Sequence, residues 1–202
     1  MSTGQWLSPR EGPRWFLDAG AESLDFAYTG PLAGEAGGGE LLATAAQLGH
    51  WLAERIPGLD ASDATERDLV DALELRGALA RLYATAADGA PFAPDDVDTL
   101  NLFAALPDVP PALEGGERRA GAARVRVSAA LSSLAREAVG ALAARGEGRI
   151  RRCGAEDCRL VYRDESRTDS RRWCSMQRCG NRAKVRAHRE RIHAERVRTG
   201  AV

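Results

Sequence analysis

The four cysteines of this 202-residue chain all fall within 27 residues, as Cys153, Cys158, Cys174 and Cys179, in the pattern C-x4-C-x15-C-x4-C. Two short pairs joined by a longer segment can each supply one edge of a tetrahedron, the geometry that Zn²⁺ adopts with four thiolates. Each pair has the widest spacing usual for such sites. Two disulfides, free buried thiols and an iron–sulfur cluster are the competing readings. Disulfides are disfavoured in a reducing compartment. Burial as free thiols is disfavoured by charged neighbours such as Arg151, Arg152, Glu156, Asp157, Arg171 and Arg172. The spacing also matches neither common ferredoxin pattern. The expectation is one structural Zn²⁺ per chain, held by Cys153, Cys158, Cys174 and Cys179. With four cysteines filling the shell, no coordination position is left for catalysis.

Charge divides the chain at the same place. Between Arg149 and Arg198 there are sixteen Lys and Arg against seven Asp and Glu. Of the 28 basic and 29 acidic residues in the whole chain, twelve and twenty-two therefore lie elsewhere. A net of +9 on one segment against −10 on the remainder points to an anionic partner for the basic end. No apolar run reaches the length of a membrane helix, and the first residues lack the regions of a signal peptide, so a cytoplasmic protein with no membrane partner is expected.

The segment around the cysteines has few large apolar groups and needs a metal to complete its folding energy. Cys153–Cys158 reads as a knuckle turn, Leu160-Val161-Tyr162 as a strand, and Trp173 as a cover for the site. After Cys179 a helix is expected, with Asn181 as its N-cap. At 100° per residue, Val185, His188 and Ile192 form a stripe facing the module. Arg182, Arg186, Arg189, His193 and Arg196 form an adjoining face, and Lys184, Arg191 and Arg198 another. A basic helix on a metal platform suits phosphate contact and bidentate reading of guanine. Arg171, Arg172, Arg182, Lys184, Arg186, Arg189 and Arg196 are the candidate DNA-binding residues. The alternative is a protein-interaction module in which the basic finger docks on an acidic surface.

Residues 1–147 read as a mainly helical α+β domain with a small sheet, and 148–202 as the finger, with Gly146 and Gly148 marking the boundary. Residues 1–13 read as a loose leader. Short strands are expected at Trp15–Leu17, at Ser23–Tyr28 and within Arg118–Val127, and a loop from Gly30 to Gly39. Helices are expected over Leu41–Ile56, from a cap at Ser62 or Asp63 to Ala87, over Pro94–Leu106 and over Ser128–Ala144. Asp18, Glu22 and Asp25 lie close together, as caps or surface groups. His50, alone beside Trp51, reads as a packed or partly exposed residue. No phosphate-binding loop, dinucleotide fingerprint or nucleophile elbow occurs, so no enzyme is expected. A small-molecule ligand or a homodimer contact for the N-terminal domain is left open.

At Cys179-Gly180-Asn181-Arg182 the sequence resembles the CGNR zinc-finger family, whose naming tetrapeptide this is. Arg149 to Cys153, Cys158, Arg171 to Met176 and Lys184 to Arg189 are also similar to that family. The likeness covers residues 149–191. Ser23-Leu24-Asp25-Phe26-Ala27-Tyr28-Thr29 is similar to the Leu-Asp-Phe-x-Asn-Thr segment of the domain that precedes such fingers, with Tyr28 where asparagine is usual. The resemblance implies an alpha-and-beta region followed by a treble-clef-like finger. It also implies a bacterial, actinomycete-like, stress-linked transcription regulator with four zinc cysteines.

Overall fold

The computed structural model describes residues 3–9, 12–30, 39–110, 124–144 and 148–199. Among the described residues, five α-helices lie in the body: α1 (Glu22–Ala27), α2 (Ala45–Ala53), α3 (Glu66–Ala87), α4 (Pro94–Ala104) and α5 (Val127–Ala143). A small antiparallel ladder of β1 (Gln5–Leu7) and β2 (Trp15–Leu17) precedes them, pairing Gln5 with Leu17 and Leu7 with Trp15. A second antiparallel pair, β3 (Ile150–Arg152) and β4 (Val161–Arg163), opens the C-terminal segment. A π-helical turn, Met176–Gly180, then runs into α6 (Asn181–Thr199). The expected class, mainly helical α+β with a small sheet and an appended finger, is the class observed.

Helix α3 is the central element. It packs against α1, α2, α4, α5 and both strands of the second ladder. Its start is fixed by a capping box in which Thr65 Oγ1 accepts from Asp68 N while Asp68 Oδ2 accepts from Thr65 N. The expected cap at Ser62 or Asp63 is thus displaced. Those residues form a separate 3₁₀ turn that Asp60 caps through Ser62 N. Leu69, Leu75, Leu79 and Leu82 of α3 are buried, as their helical spacing requires. On α5, Ala130, Leu131, Leu134, Ala138 and Leu142 face the same core. Thr44 and Gln47 make a second capping box, which starts α2 four residues after Leu41.

Two expectations fail, for separable reasons. Residues 22–27 form helix α1 rather than a strand, and all six are buried. A helix covered on every side has no apolar stripe, so its sequence carries no period of 3.6. The supposed loose leader contains β1, because Trp6 and Phe16 pair across the ladder while Leu7 and Leu17 turn inward to complete burial. Of the strand expected within 118–127, residues 118–123 lie outside the described residues. Val125 makes only a single parallel bridge to Leu59 before α5 begins. The loop expected from Gly30 to Gly39 falls largely outside the described residues as well.

The buried cluster does not stop at Gly148. Ile150, Leu160, Val161, Tyr162, Cys153, Cys174 and Cys179 belong to the same apolar cluster as Leu24, Tyr28, Leu79 and Tyr83. The second ladder is therefore seated on α3 and on Tyr28, just beyond α1. Gly20 shows how closely: its φ is +81°, and a Cβ there would lie 2.3 Å from the carbonyl oxygen of Arg163. Only glycine meets both demands. Arg163 N donates to Ala19 O at 2.8 Å on the same edge.

Candidate metal centre and its basic helix

The first cysteine pair lies inside the β3–β4 hairpin, so the knuckle is the hairpin turn itself rather than a segment beside it. Cys153 follows β3 directly, and its N–H donates to Leu160 O at 2.8 Å. Cys158 N donates to Ala155 O at 3.0 Å and closes the turn. The second pair begins at Cys174 and ends within the π turn, where Cys179 N and Gly180 N both donate to Ser175 O. Gly154 N donates to Arg172 O at 2.9 Å and ties one knuckle to the other.

This folding brings the four Sγ atoms within 4.8 Å of one another. Cys158 and Cys174 are 3.7 Å apart at sulfur, and Cys174 and Cys179 are 3.6 Å apart. Zn–S bonds of about 2.3 Å at tetrahedral angles put neighbouring sulfurs about 3.8 Å apart. The donor set therefore fits one structural Zn²⁺, held by Cys153, Cys158, Cys174 and Cys179. Cys153, Cys174 and Cys179 are buried and Cys158 is half-buried. Crowding by the other sulfurs, Cys153 foremost, and then burial push the Cys174 thiol upward. Bound zinc offsets that crowding, so metal loading displaces thiol protons. Donors also face the sulfurs: Cys174 N donates to Cys153 Sγ at 3.4 Å, and Arg182 Nη2 to Cys179 Sγ at 3.3 Å. The half-buried Trp173 ring lies against Gly154 and Gly180, and so bridges the two knuckles as a cover.

The candidate DNA-binding residues separate into three environments. Arg171 is built into the scaffold. Its Nε donates to Trp173 O, its Nη2 donates to Cys174 O and to Asp18 O, and its guanidinium lies 4.4 Å from the centre of the Tyr162 ring. Arg182 and Arg186 are exposed but paired with the first knuckle, Arg182 with Asp157 at 2.7 Å and Arg186 with Glu156. Arg172, Lys184 and Arg189 are exposed. Lys184 and Arg189 have no ion-pair partner among the described residues. Arg172 lies over the Trp173 ring at 5.3 Å. Arg196 sits on the distal part of α6.

Two expectations about α6 are corrected. Asn181 is not an N-cap: its φ and ψ of −67° and −40° are helical, and its Nδ2 donates back to Gln177 O. The π turn passes directly into α6, so no cap is needed there. Val185, His188 and Ile192 do not face the module. All three are exposed, because among the described residues α6 packs mainly on the π turn and reaches the first knuckle only through the exposed pairs of Arg182 and Arg186.

Several residues that hold the site together carried no motif. Asp164 is fully buried and accepts from Ser166 N, from Arg171 N and, at 3.4 Å, from Arg151. It thereby fixes the loop between β4 and the second knuckle. Arg152 forks onto the Asp88 carboxylate with two hydrogen bonds of 2.5 Å, tying the finger to the end of α3. Arg178 lies 4.8 Å over the Trp15 ring of β2. A carboxylate just past a strand and single arginines in a basic segment are too common to signal such roles in a sequence.

No curated protein matches the chain. The model of the CGNR zinc finger matches residues 149–192, which include all four cysteines, the π turn and most of α6. A second model, ABATE, described as a putative stress-induced transcription regulator, matches residues 20–145 and so covers α1 to α5. With more than half of its length matched by the second model and the finger matched by the first, this chain belongs to the ABATE family and carries a CGNR zinc finger.

Proposed function

We propose that the chain is a zinc-dependent DNA-binding transcription regulator whose finger presents α6 to the duplex. The observation that carries this reading is the isolation of α6. It spans 19 residues and leaves the body after the exposed pair of Arg186 with Glu156. Its described side chains from Lys184 onward are exposed. A helix of that length reaches about 28 Å, enough to lie along a groove. It holds seven Lys and Arg against two Glu, a composition that contributes nothing to a core. Each phosphate it neutralises releases counterions, which makes the contact favourable and dependent on salt.

In this reading Arg182, Lys184, Arg186, Arg189 and Arg196 contact the DNA, Arg172 adds charge beside the second knuckle, and Arg171 holds that knuckle in place. The family of regulators supports DNA as the partner. Residues 148–202 act as the DNA-contacting unit and the preceding helices as the regulatory one. A second reading has its own observation. Val185 and Ile192, seven residues apart, are 49% and 39% exposed on one side of α6. Such a stripe suits a partner helix, whether on an acidic protein or in a second copy of the chain.

The test is selection from fragmented genomic DNA by the intact, zinc-loaded protein, followed by titration of the enriched fragments across salt. Enrichment with a slope of log affinity on log salt near −0.9 for each phosphate contacted supports the regulator. Folded, zinc-loaded protein that retains no duplex overturns it in favour of the protein-interaction reading.

A further inference from the structure

A cleft of about 510 Å³ opens where the start of α1, the segment after α2 and the middle of α5 meet. Ile56, Val109 and Leu134 form its apolar wall, and Glu22 and Glu137 contribute two carboxylates. Glu137 is committed. Its two oxygens accept from Glu22 N at 3.0 Å and Ser23 N at 2.6 Å, capping α1 from a different helix. That cap replaces the one Ala21 cannot provide from its own side chain.

Glu22 is the anomaly. The residue is only 6% exposed, and its Oε1 is buried with no hydrogen-bond partner among the described residues. An unpaired buried carboxylate oxygen is unfavourable by more than an unpaired neutral group. Arg55 lies close enough to act on Glu22 through space, but its donors go elsewhere. They reach Trp51 O, Glu54 and Gly4 O, and its guanidinium stacks on the Trp51 ring at 4.0 Å. Ser133, on the cleft wall, is also satisfied, since it accepts from Val109 N and donates to Ala129 O. The described residues therefore place two acids in an apolar cleft and supply no donor to Glu22 Oε1.

We propose that this cleft binds a small organic cation, with an ammonium or guanidinium group donating to Glu22 and an apolar body lying against Ile56, Val109 and Leu134. A hydrated divalent metal suits the site poorly, because both Glu137 oxygens are already engaged and the remaining wall is mostly hydrocarbon, with Ser133 already hydrogen-bonded. A ligand ammonium beside the Glu22 carboxylate offsets the charge that no donor compensates and the repulsion between the two carboxylates. Burial, followed by Glu137, pushes the Glu22 carboxyl upward, the direction that a bound cation reverses. This assignment does not depend on DNA binding. It concerns the helical body, and its test contains no nucleic acid.

The experiment is calorimetric titration of the intact, zinc-loaded protein with phenethylamine and with n-hexylamine. Phenethyl alcohol and n-hexanol serve as uncharged controls of the same shape. At least one amine binds saturably at one per chain, and its alcohol binds about tenfold or more weaker, as expected when a charge-assisted hydrogen bond is removed. Glu22→Gln weakens the amine by a similar factor and leaves zinc content unchanged. Val109→Trp, on a half-buried loop position, fills the cleft and abolishes binding with Glu22 in place. Equal affinity for amine and alcohol, unchanged affinity in Glu22→Gln, or no binding of either amine overturns the proposal.

Discussion

The hydroxyl of Tyr28 donates to Val161 O at 2.7 Å and accepts from Val161 N at 2.6 Å. One side chain just beyond α1 thus satisfies both backbone groups of a fully buried residue in β4. Burial holds the phenol in its protonated form, which this dual role requires. Tyr28→Phe keeps the ring but strands a buried N–H and a buried C=O. Each stranded group costs roughly 1–3 kcal/mol, so a destabilisation of about 2 kcal/mol or more is expected in urea denaturation. Zinc content stays near one per chain, because no sulfur is touched. A destabilisation below about 0.5 kcal/mol would show that water reaches these groups.

The sulfurs share a buried cluster with Val161, Tyr162 and the helices beneath them. Zinc and the helical body should therefore unfold together. In scanning calorimetry the loaded protein is expected to show one transition, which a strong chelator moves down by several degrees, since metal bound only to the folded state stabilises it by mass action. Cys174→Ala, at the sulfur with two close neighbours, should lower zinc content well below one per chain and move the same transition. Two separate transitions, only the smaller responding to chelator, would mean that the finger folds on its own.

Much of this arrangement was legible in the sequence, and the remainder was hidden for definable reasons. The cysteine spacing encodes a local constraint, since each pair must close a turn whatever surrounds it. Leu69, Leu75, Leu79 and Leu82 encode a helix face because α3 has solvent on its other side. Glu22 to Ala27 is enclosed and shows no such contrast. Val185, His188 and Ile192 have the right period, yet periodicity identifies a face and not what covers it. Asp25 and Glu22 read as surface carboxylates because nothing in their neighbours announces that β1 and α5 close over them. Tyr28, noted only as a departure from the family's asparagine, bridges the helical body and the finger.

The pairing of Arg182 with Asp157 and of Arg186 with Glu156 sets the knuckle's acids against the proposed DNA contacts. Exposed ion pairs of this kind contribute about 0–1 kcal/mol, so they place little constraint on the arginines. Removing both carboxylates should raise DNA affinity severalfold at low salt, because competition and two negative charges disappear together. Arg182 stays placed through its hydrogen bond to Cys179 Sγ. Lys184→Ala and Arg189→Ala should act oppositely, weakening binding and reducing the salt slope by about 0.9 for each phosphate left without its cation. Anisotropy titrations of one duplex across salt measure the affinity and the slope for every variant. Weaker binding after Asp157→Asn with Glu156→Gln would assign the acids an orienting role.

Asp25 offers a test of the body alone. It is fully buried, with Oδ2 accepting from Gly4 N at 2.5 Å and Oδ1 from Ala19 N at 3.2 Å. Burial outweighs these two bonds and raises its pKa from 3.8 to about 7. A carboxyl raised on folding binds its proton more tightly in the native state. Its ionisation therefore destabilises the fold, with no penalty below about pH 4, a growing one towards pH 7 and a constant one above. The slope approaches but does not exceed about 1.4 kcal/mol per pH unit. Thiol protonation acts in the opposite direction at low pH by releasing zinc, so the informative quantity is a difference between two proteins. Asp25→Asn does not titrate, and it turns an amide N–H₂ towards one of the two backbone donors. It should be less stable than the wild type at pH 5, with the gap narrowing towards pH 7.5, in urea denaturation of zinc-loaded samples. A gap independent of pH would mean that Gly4 N and Ala19 N already hold Asp25 ionised throughout that range.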